Sequence, residues 1–121
     1  DNLAEINRCF SWKAGNRTLK MIANILKHHL RDQDFIARYG SDKFAIILPN
    51  TNLKNAKEIA ARLKLAISKS GMHHKGKDIK ASVSGGGTVL LPEDTPTIAM
   101  LRANTALAKA KKNGSGEIVL I

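Results

Sequence analysis

The stretch Arg38-Tyr39-Gly40-Ser41-Asp42-Lys43-Phe44 follows the apolar run Phe35-Ile36-Ala37 and precedes a longer one, Ala45-Ile46-Ile47-Leu48-Pro49. Short apolar runs on either side of a Gly-Ser pair read as two strands joined by a tight hairpin. No other segment restricts the fold as strongly. Gly40 can take a positive φ at no steric cost, and Ser41 is small enough for another molecule's backbone or phosphate to come close. Asp42 then stands at the hairpin tip beside the basic Lys43. A single tip carboxylate is usually solvated turn chemistry, so the motif alone does not establish a site.

Helical periodicity dominates the rest. Leu3, Ile6 and Phe10 recur at helical spacing, and a break follows over Ser11 to Gly15. Asn16 suits the N-cap of a second helix, with Leu19, Ile22, Ile25, Leu26 and Leu30 on one face. After the hairpin, Thr51 or Asn52 caps a helix striped by Leu53, Ala56, Ile59, Ala60, Leu63, Ala66 and Ile67 that stops near Ser70-Gly71. Met72 to Lys77 reads as a polar loop. Its His73-His74 pair lacks a third ligand nearby and is weak support for a metal site. Ile79 to Val83 reads as a strand, Ser84 to Gly87 as a bulge or close-packed kink, and Thr88 to Leu91 as its continuation. A last helix carries Ile98, Leu101, Ala103, Leu107 and Ala110 and ends at Asn113-Gly114. Glu117 to Ile121 reads as a terminal strand. Such an order predicts an α/β (α+β) fold, a central mixed β-sheet flanked by helices, in one domain over 1–121.

Composition narrows the function. The net charge of +10 calls for an anionic partner or a solvated surface. The cations are spread over the whole chain, and 4% aromatic content leaves little for base stacking, which argues against nucleic acid. A phosphate-bearing small ligand fits the charge as well. A lone Cys9, with no signal-peptide pattern and no apolar run near the ~18 residues of a membrane span, points to a cytoplasmic domain without membrane contact.

Several segments, in order and at matching spacing, carry a family resemblance. Leu30-Arg31-Asp32-Gln33-Asp34 through Arg38-Tyr39-Gly40-Ser41-Asp42-Lys43-Phe44 is similar to L-R-x-x-D-x-x-x-R-Y-G-G-D-E-F. Ser82-Val83-Ser84-Gly85-Gly86 resembles T-V-S-I-G, and Ala103-Asn104-Thr105-Ala106-Leu107-Ala108-Lys109-Ala110-Lys111 resembles A-D-x-A-L-Y-x-A-K. Asp1 to Leu19 resembles D-x-F-K-x-I-N-D-x-x-G-H-x-x-G-D-x-x-L. All are motifs of the GGDEF family of diguanylate cyclases. The resemblance implies the nucleotidyl-cyclase-like GGDEF fold, whose first strand would precede Asp1. In the family, two GTP-loaded domains make cyclic di-GMP with two Mg²⁺ ions on the triphosphate, and the metals need at least two carboxylates.

What the resemblance implies for the site residues is mixed. Asp42 matches a catalytic, metal-binding acid, but Lys43 stands where the family has a second acid, and Ser41 replaces a glycine. A further metal-binding aspartate of the family lies upstream of Asp1. Asn7 matches a base-binding asparagine. Asn16 replaces an aspartate and offers one acceptor oxygen where guanine's edge wants two. Gly40 and Ser41 belong to the phosphate approach, and Lys111 matches a phosphate-side lysine. Ala4 and Ser115 replace a phosphate-contacting lysine and arginine, Trp12 a histidine and Ala108 a tyrosine. Arg31-x-x-Asp34, with Arg62 on the next helix, matches the family's inhibitory site for cyclic di-GMP. Without a ligand, Arg31 and Asp34 would be an ordinary i,i+3 surface pair.

Three functions therefore compete. The preferred one is a degenerate, catalytically inactive GGDEF domain that binds cyclic di-GMP through Arg31, Asp34 and Arg62. The alternatives are a weak but active cyclase that uses GTP and Mg²⁺, and a non-binding module for homodimerisation or for docking beside an EAL or sensory domain.

Overall fold

The computed structural model describes residues 1, 3–74 and 76–121, with the backbone alone for Met72, His73 and His74. In order, its elements are α1 (Leu3–Cys9), α2 (Trp12–His29), β1 (Phe35–Tyr39), β2 (Lys43–Ile47), α3 (Leu53–Ser68), β3 (Gly71–His74), β4 (Lys77–Lys80), β5 (Gly85–Gly87), α4 (Pro96–Lys112) and β6 (Ile118–Leu120). Helices mix with both antiparallel and parallel strand pairs, as the sequence indicated. Hydrogen bonding groups the strands into three two-stranded ladders: β1–β2 and β3–β4 antiparallel, β5–β6 parallel. The chain divides into two compact units, residues 2–50 with 65–81, and residue 1 with 51–64 and 82–121.

In the first unit α2 buries Ala14, Gly15, Thr18, Leu19, Ile22 and Leu26, one face of a regular helix. Ile6 of α1, Ala14 and Ile79 of β4 form a core cluster, with Phe10 packed against it. Ser11, not Asn16, caps α2: its hydroxyl accepts from the Ala14 N–H at 3.0 Å, and Asn16 lies exposed within the helix. The expected break over Ser11 to Gly15 is therefore one turn too long. Gly15 is buried inside the helix, where a Cβ would stand 1.7 Å from the Asn7 Oδ1, so close approach and not helix breaking explains the glycine.

The polar loop expected over Met72 to Lys77 is instead the β3–β4 hairpin, with His74 opposite Lys77. A φ of 78° at Gly76 turns the chain, and Ile79, 3% exposed, anchors β4 in the core. The His73-His74 side chains, weighed above as a metal site, lie outside the described residues. β4 also stops at Lys80, short of the strand expected to Val83.

The second unit holds most of α3, from its start, together with β5, α4 and β6. Asn52 caps α3, its Oδ1 accepting from the Asn55 N–H at 2.8 Å. Gly85–Gly87 is a paired strand and not a bulge, and Thr88 to Leu91 does not continue it. Gly86 is there because α4 packs directly on the strand backbone, whereas Gly85 and Gly87 face the Ile118 and Leu120 side chains of β6. A Cβ on Gly86 would meet the Leu107 N at 2.1 Å and the Ala103 O at 2.4 Å. Of the expected stripe, Ala110 is buried and Ala103 and Leu107 are half-buried, joined by the buried Ala106, whereas Ile98 and Leu101 near the start of α4 are exposed. Thr95 caps α4, its hydroxyl accepting from the Ile98 N–H, and Pro96 opens it. Among the described residues no helix is long and apolar enough to cross a membrane.

Candidate functional site

The β1–β2 hairpin has two ends, and each carries one set of candidate residues. Its register runs from Phe35 opposite Ile47 to Tyr39 opposite Lys43, so Gly40-Ser41-Asp42 forms the tip. Gly40 takes φ 65° with nothing close to it, as the tight turn requires. Arg38 donates from Nη2 to the Ser41 carbonyl at 2.7 Å and ties the tip back to its own strand. The Lys43 ammonium sits 5.8 Å from the centroid of the Tyr39 ring, its cross-strand neighbour. Ser41, Asp42 and Lys43 are all exposed, and Asp42 forms no ion pair among the described residues. A Mg²⁺ ion approaching this tip would meet one carboxylate with an ammonium next to it. Among the described residues no three His, Cys, Asp or Glu side chains gather to hold a metal. The tip itself contributes one carboxylate, Asp42.

At the other end the chain leaves α2 at Leu30, whose extended backbone ends the helix while its N–H still reaches the Leu26 carbonyl. The next four residues form a turn closed on itself. Asp34 N–H donates to the Arg31 carbonyl at 3.0 Å, and Arg31 N–H donates to the Asp34 Oδ2 at 2.8 Å. The side chains repeat this exchange. Arg31 Nη2 meets Asp34 Oδ1 at 2.8 Å, and Nε lies 3.2 Å from both carboxylate oxygens. Nη2 also donates to the Pro49 carbonyl at 3.2 Å, linking the residues before β1 to those after β2. The Asp34 side chain is 1% exposed and that of Arg31 38%, so the carboxylate is enclosed and the guanidinium keeps an open edge. The hydrogen bonds from the Arg31 side chain hold the Asp34 carboxyl below its ordinary range, against the opposing effect of burial. The same bonds raise the Arg31 guanidinium.

The remaining candidates are dispersed. Asn7 of α1 lies against Gly15, and its Oδ1 is buried with no hydrogen-bond partner among the described residues. Asn16 is exposed one residue beyond Gly15. Arg62 lies exposed on α3 and Lys111 in the last turn of α4, both in the second unit, whereas Asn7, Asn16, Arg31, Asp34 and the hairpin tip are in the first.

Sequence reasoning missed three positions. Arg38 ties the hairpin tip, and Pro49 accepts from Arg31. Asp1 collects the hydroxyls of Ser82 and Ser84 and the Gly116 N–H on its carboxylate, at 2.9–3.2 Å. Ser82 and Ser84 alternate about Val83, the period that puts both on one side of an extended chain, and that spacing was the available signal.

The family model described as "Diguanylate cyclase, GGDEF domain" matches residues 1–117. The chain is 36% identical over 114 residues to diguanylate cyclase DgcP of Pseudomonas aeruginosa, covering 94% of this chain and 17% of DgcP. Among solved structures it superposes with TM-score 0.96 and 26% identity on diguanylate cyclase SiaD of Pseudomonas aeruginosa in complex with its activator SiaC, covering 100% of this chain and 46% of SiaD. A second neighbour is the GGDEF domain of DgcB from Caulobacter crescentus in complex with c-di-GMP. It has TM-score 0.94 and 21% identity over 99% of this chain and 72% of that one, a likeness of fold. The chain spans 17% to 33% of the length of the first curated relatives it matches.

Proposed function

The chain belongs to the GGDEF domain family of diguanylate cyclases, and within it we propose that this domain is a receptor for cyclic di-GMP and not an efficient cyclase. The observation that carries the reading is the Arg31–Asp34 pair, an enclosed carboxylate gripped by a guanidinium with an open edge. A planar guanidinium suits the Hoogsteen edge of guanine or a phosphate, and a carboxylate can accept from guanine N–H groups. Both Asp34 oxygens already accept from Arg31, so a guanine would enter by exchange, taking up donors and acceptors that the pair now satisfies internally.

The hairpin tip supports the other half of the proposal. Cyclisation places two triphosphates and their Mg²⁺ ions at such a tip, and the ions supply charge neutralisation there when bound. The tip offers Asp42 with Lys43 adjacent. Like charges a few ångströms apart in a partly desolvated site repel by several kcal/mol. Asn16 and Ser115 further weaken the base and phosphate contacts expected for GTP.

Calorimetric titration of the chain with cyclic di-GMP, and separately with GTP and Mg²⁺, tests both halves. Saturable binding of cyclic di-GMP without GTP turnover is the expected result. Turnover of GTP by the unaltered chain would overturn the inactive reading. Silence toward both ligands would leave a dimerisation or docking module.

A further inference from the structure

The cations of α2 are arranged in a way that neither the hairpin nor the Arg31–Asp34 turn uses. Lys13, Arg17, Lys20 and Lys27 are all exposed, and at 100° per residue they fall within an arc of about 80°. The file from Lys13 to Lys27 is about 21 Å long at 1.5 Å per residue. Trp12–His29 contains no aspartate or glutamate, and none of the four cations is ion-paired among the described residues.

This arrangement works against the helix itself. Lys13 and Arg17 are like charges at i,i+4, and Arg17 and Lys20 at i,i+3, both unfavourable spacings. Lys13 also lies in the first turn, where the helix dipole repels a cation and no acid compensates. The contrast with α4 is informative. Its Lys109, Lys111 and Lys112 gather in the last turn, where the dipole favours them. The α4 lysines have a structural explanation, and the amino-terminal half of the α2 file does not.

Trp12 adds an independent observation. It opens α2 on the flank of the file and is 75% exposed, a large apolar ring left in water. A straight convex ridge of cations flanked by an indole matches a planar anionic surface, since Trp partitions into the headgroup layer of bilayers. A single-stranded nucleic acid is less well served, because the ridge interleaves no aromatic side chains for base stacking.

We propose that the exposed face of α2 docks on an anionic lipid bilayer, with Lys13, Arg17, Lys20 and Lys27 over the headgroups and the Trp12 ring at the interface. Peripheral contact of this kind needs no apolar span, so the lack of one in the sequence does not bear on it. The contact is independent of the proposed cyclic di-GMP site.

Flotation of the chain with vesicles of phosphatidylcholine alone, and with about one-third phosphatidylserine, provides the test. Binding is expected only to the anionic vesicles, with a blue shift of the single tryptophan's fluorescence and a loss of at least about tenfold on raising ionic strength from about 0.05 M to 0.3 M. The Lys13→Glu/Arg17→Glu/Lys20→Glu variant, checked for unchanged circular dichroism, should bind roughly tenfold or more weakly. Should that variant not fold, Arg17→Glu alone should still show a several-fold loss. Three results would overturn the proposal: no binding to anionic vesicles at low salt, full binding by the charge-reversed variant, or tighter binding to duplex DNA than to the vesicles.

Discussion

The two ends of one hairpin are held in opposite ways. At the open end, Arg31 fastens the chain before β1 to Asp34 and to the Pro49 carbonyl after β2, through five hydrogen bonds from one residue. At the tip, one bond from Arg38 to the Ser41 carbonyl and one contact of Lys43 with Tyr39 are the main ties, and every tip side chain faces water. The fastened end presents a guanidinium edge beside an enclosed carboxylate. The tip presents Asp42 and Lys43 side by side in water. One backbone register, from Phe35 opposite Ile47 to Tyr39 opposite Lys43, thus carries two differently tied ends.

Removing the fastening should give the largest effect. Arg31→Ala leaves an enclosed carboxylate without its partner and is expected to weaken cyclic di-GMP binding about tenfold to a hundredfold by titration calorimetry. Asp34→Ala should do so comparably. If both variants bound as well as the parent, the open end would not be the ligand site and the comparison would collapse.

A pH titration sharpens it further. Asp34 has its carboxyl lowered by folding, so its contribution to stability is complete above the ordinary carboxylate range. It is lost as pH falls through the lowered folded value. Thermal unfolding of the parent and of Asp34→Asn should differ at neutral pH and converge in acid. Asp94, lowered by the Leu91 N–H and by Arg102, titrates in both proteins and cancels in the comparison. A gap that stayed constant down to strong acid would mean that the pair is not what holds this end.

At the tip the effects should be small. Lys43→Ala is expected to cost at most about 0.5–1 kcal/mol in denaturant unfolding, the range for an exposed cation–π contact. Asp42→Ala should change neither stability nor cyclic di-GMP affinity. Abolition of binding by Asp42→Ala, with Arg31→Ala silent, would move the ligand to the tip.

Much of this was legible in the sequence where a local rule had no competitor. The hairpin followed from two apolar runs around Gly40-Ser41, and the α3 start from Thr51 or Asn52, of which Asn52 is the cap. Misreadings arose where a tertiary contact decided. Gly15 looked like a break until Asn7 was seen against it, and Gly85–Gly87 looked like a bulge or close-packed kink until β6 was seen paired with it and α4 against Gly86. The β3–β4 hairpin was hidden because its residues are mostly polar, although Ile79 anchors it. The Arg31–Asp34 spacing was visible at once, but its enclosure and the Pro49 link were not, since they depend on where the chain returns eighteen residues later.

The glycine beneath α4 bears on how such a domain can change over evolutionary time. At position 86 any side chain at all would collide with helix backbone, and backbone cannot step aside as a side-chain tip can. Substitutions there would be purged by folding alone, whatever the domain does. The Ser41 and Lys43 side chains are exposed, so drift at those positions meets no such backbone collision. A lineage that stopped selecting for cyclisation would lose the tip's chemistry first and keep its glycine strand. The sequence would still announce the fold long after one of its activities had gone.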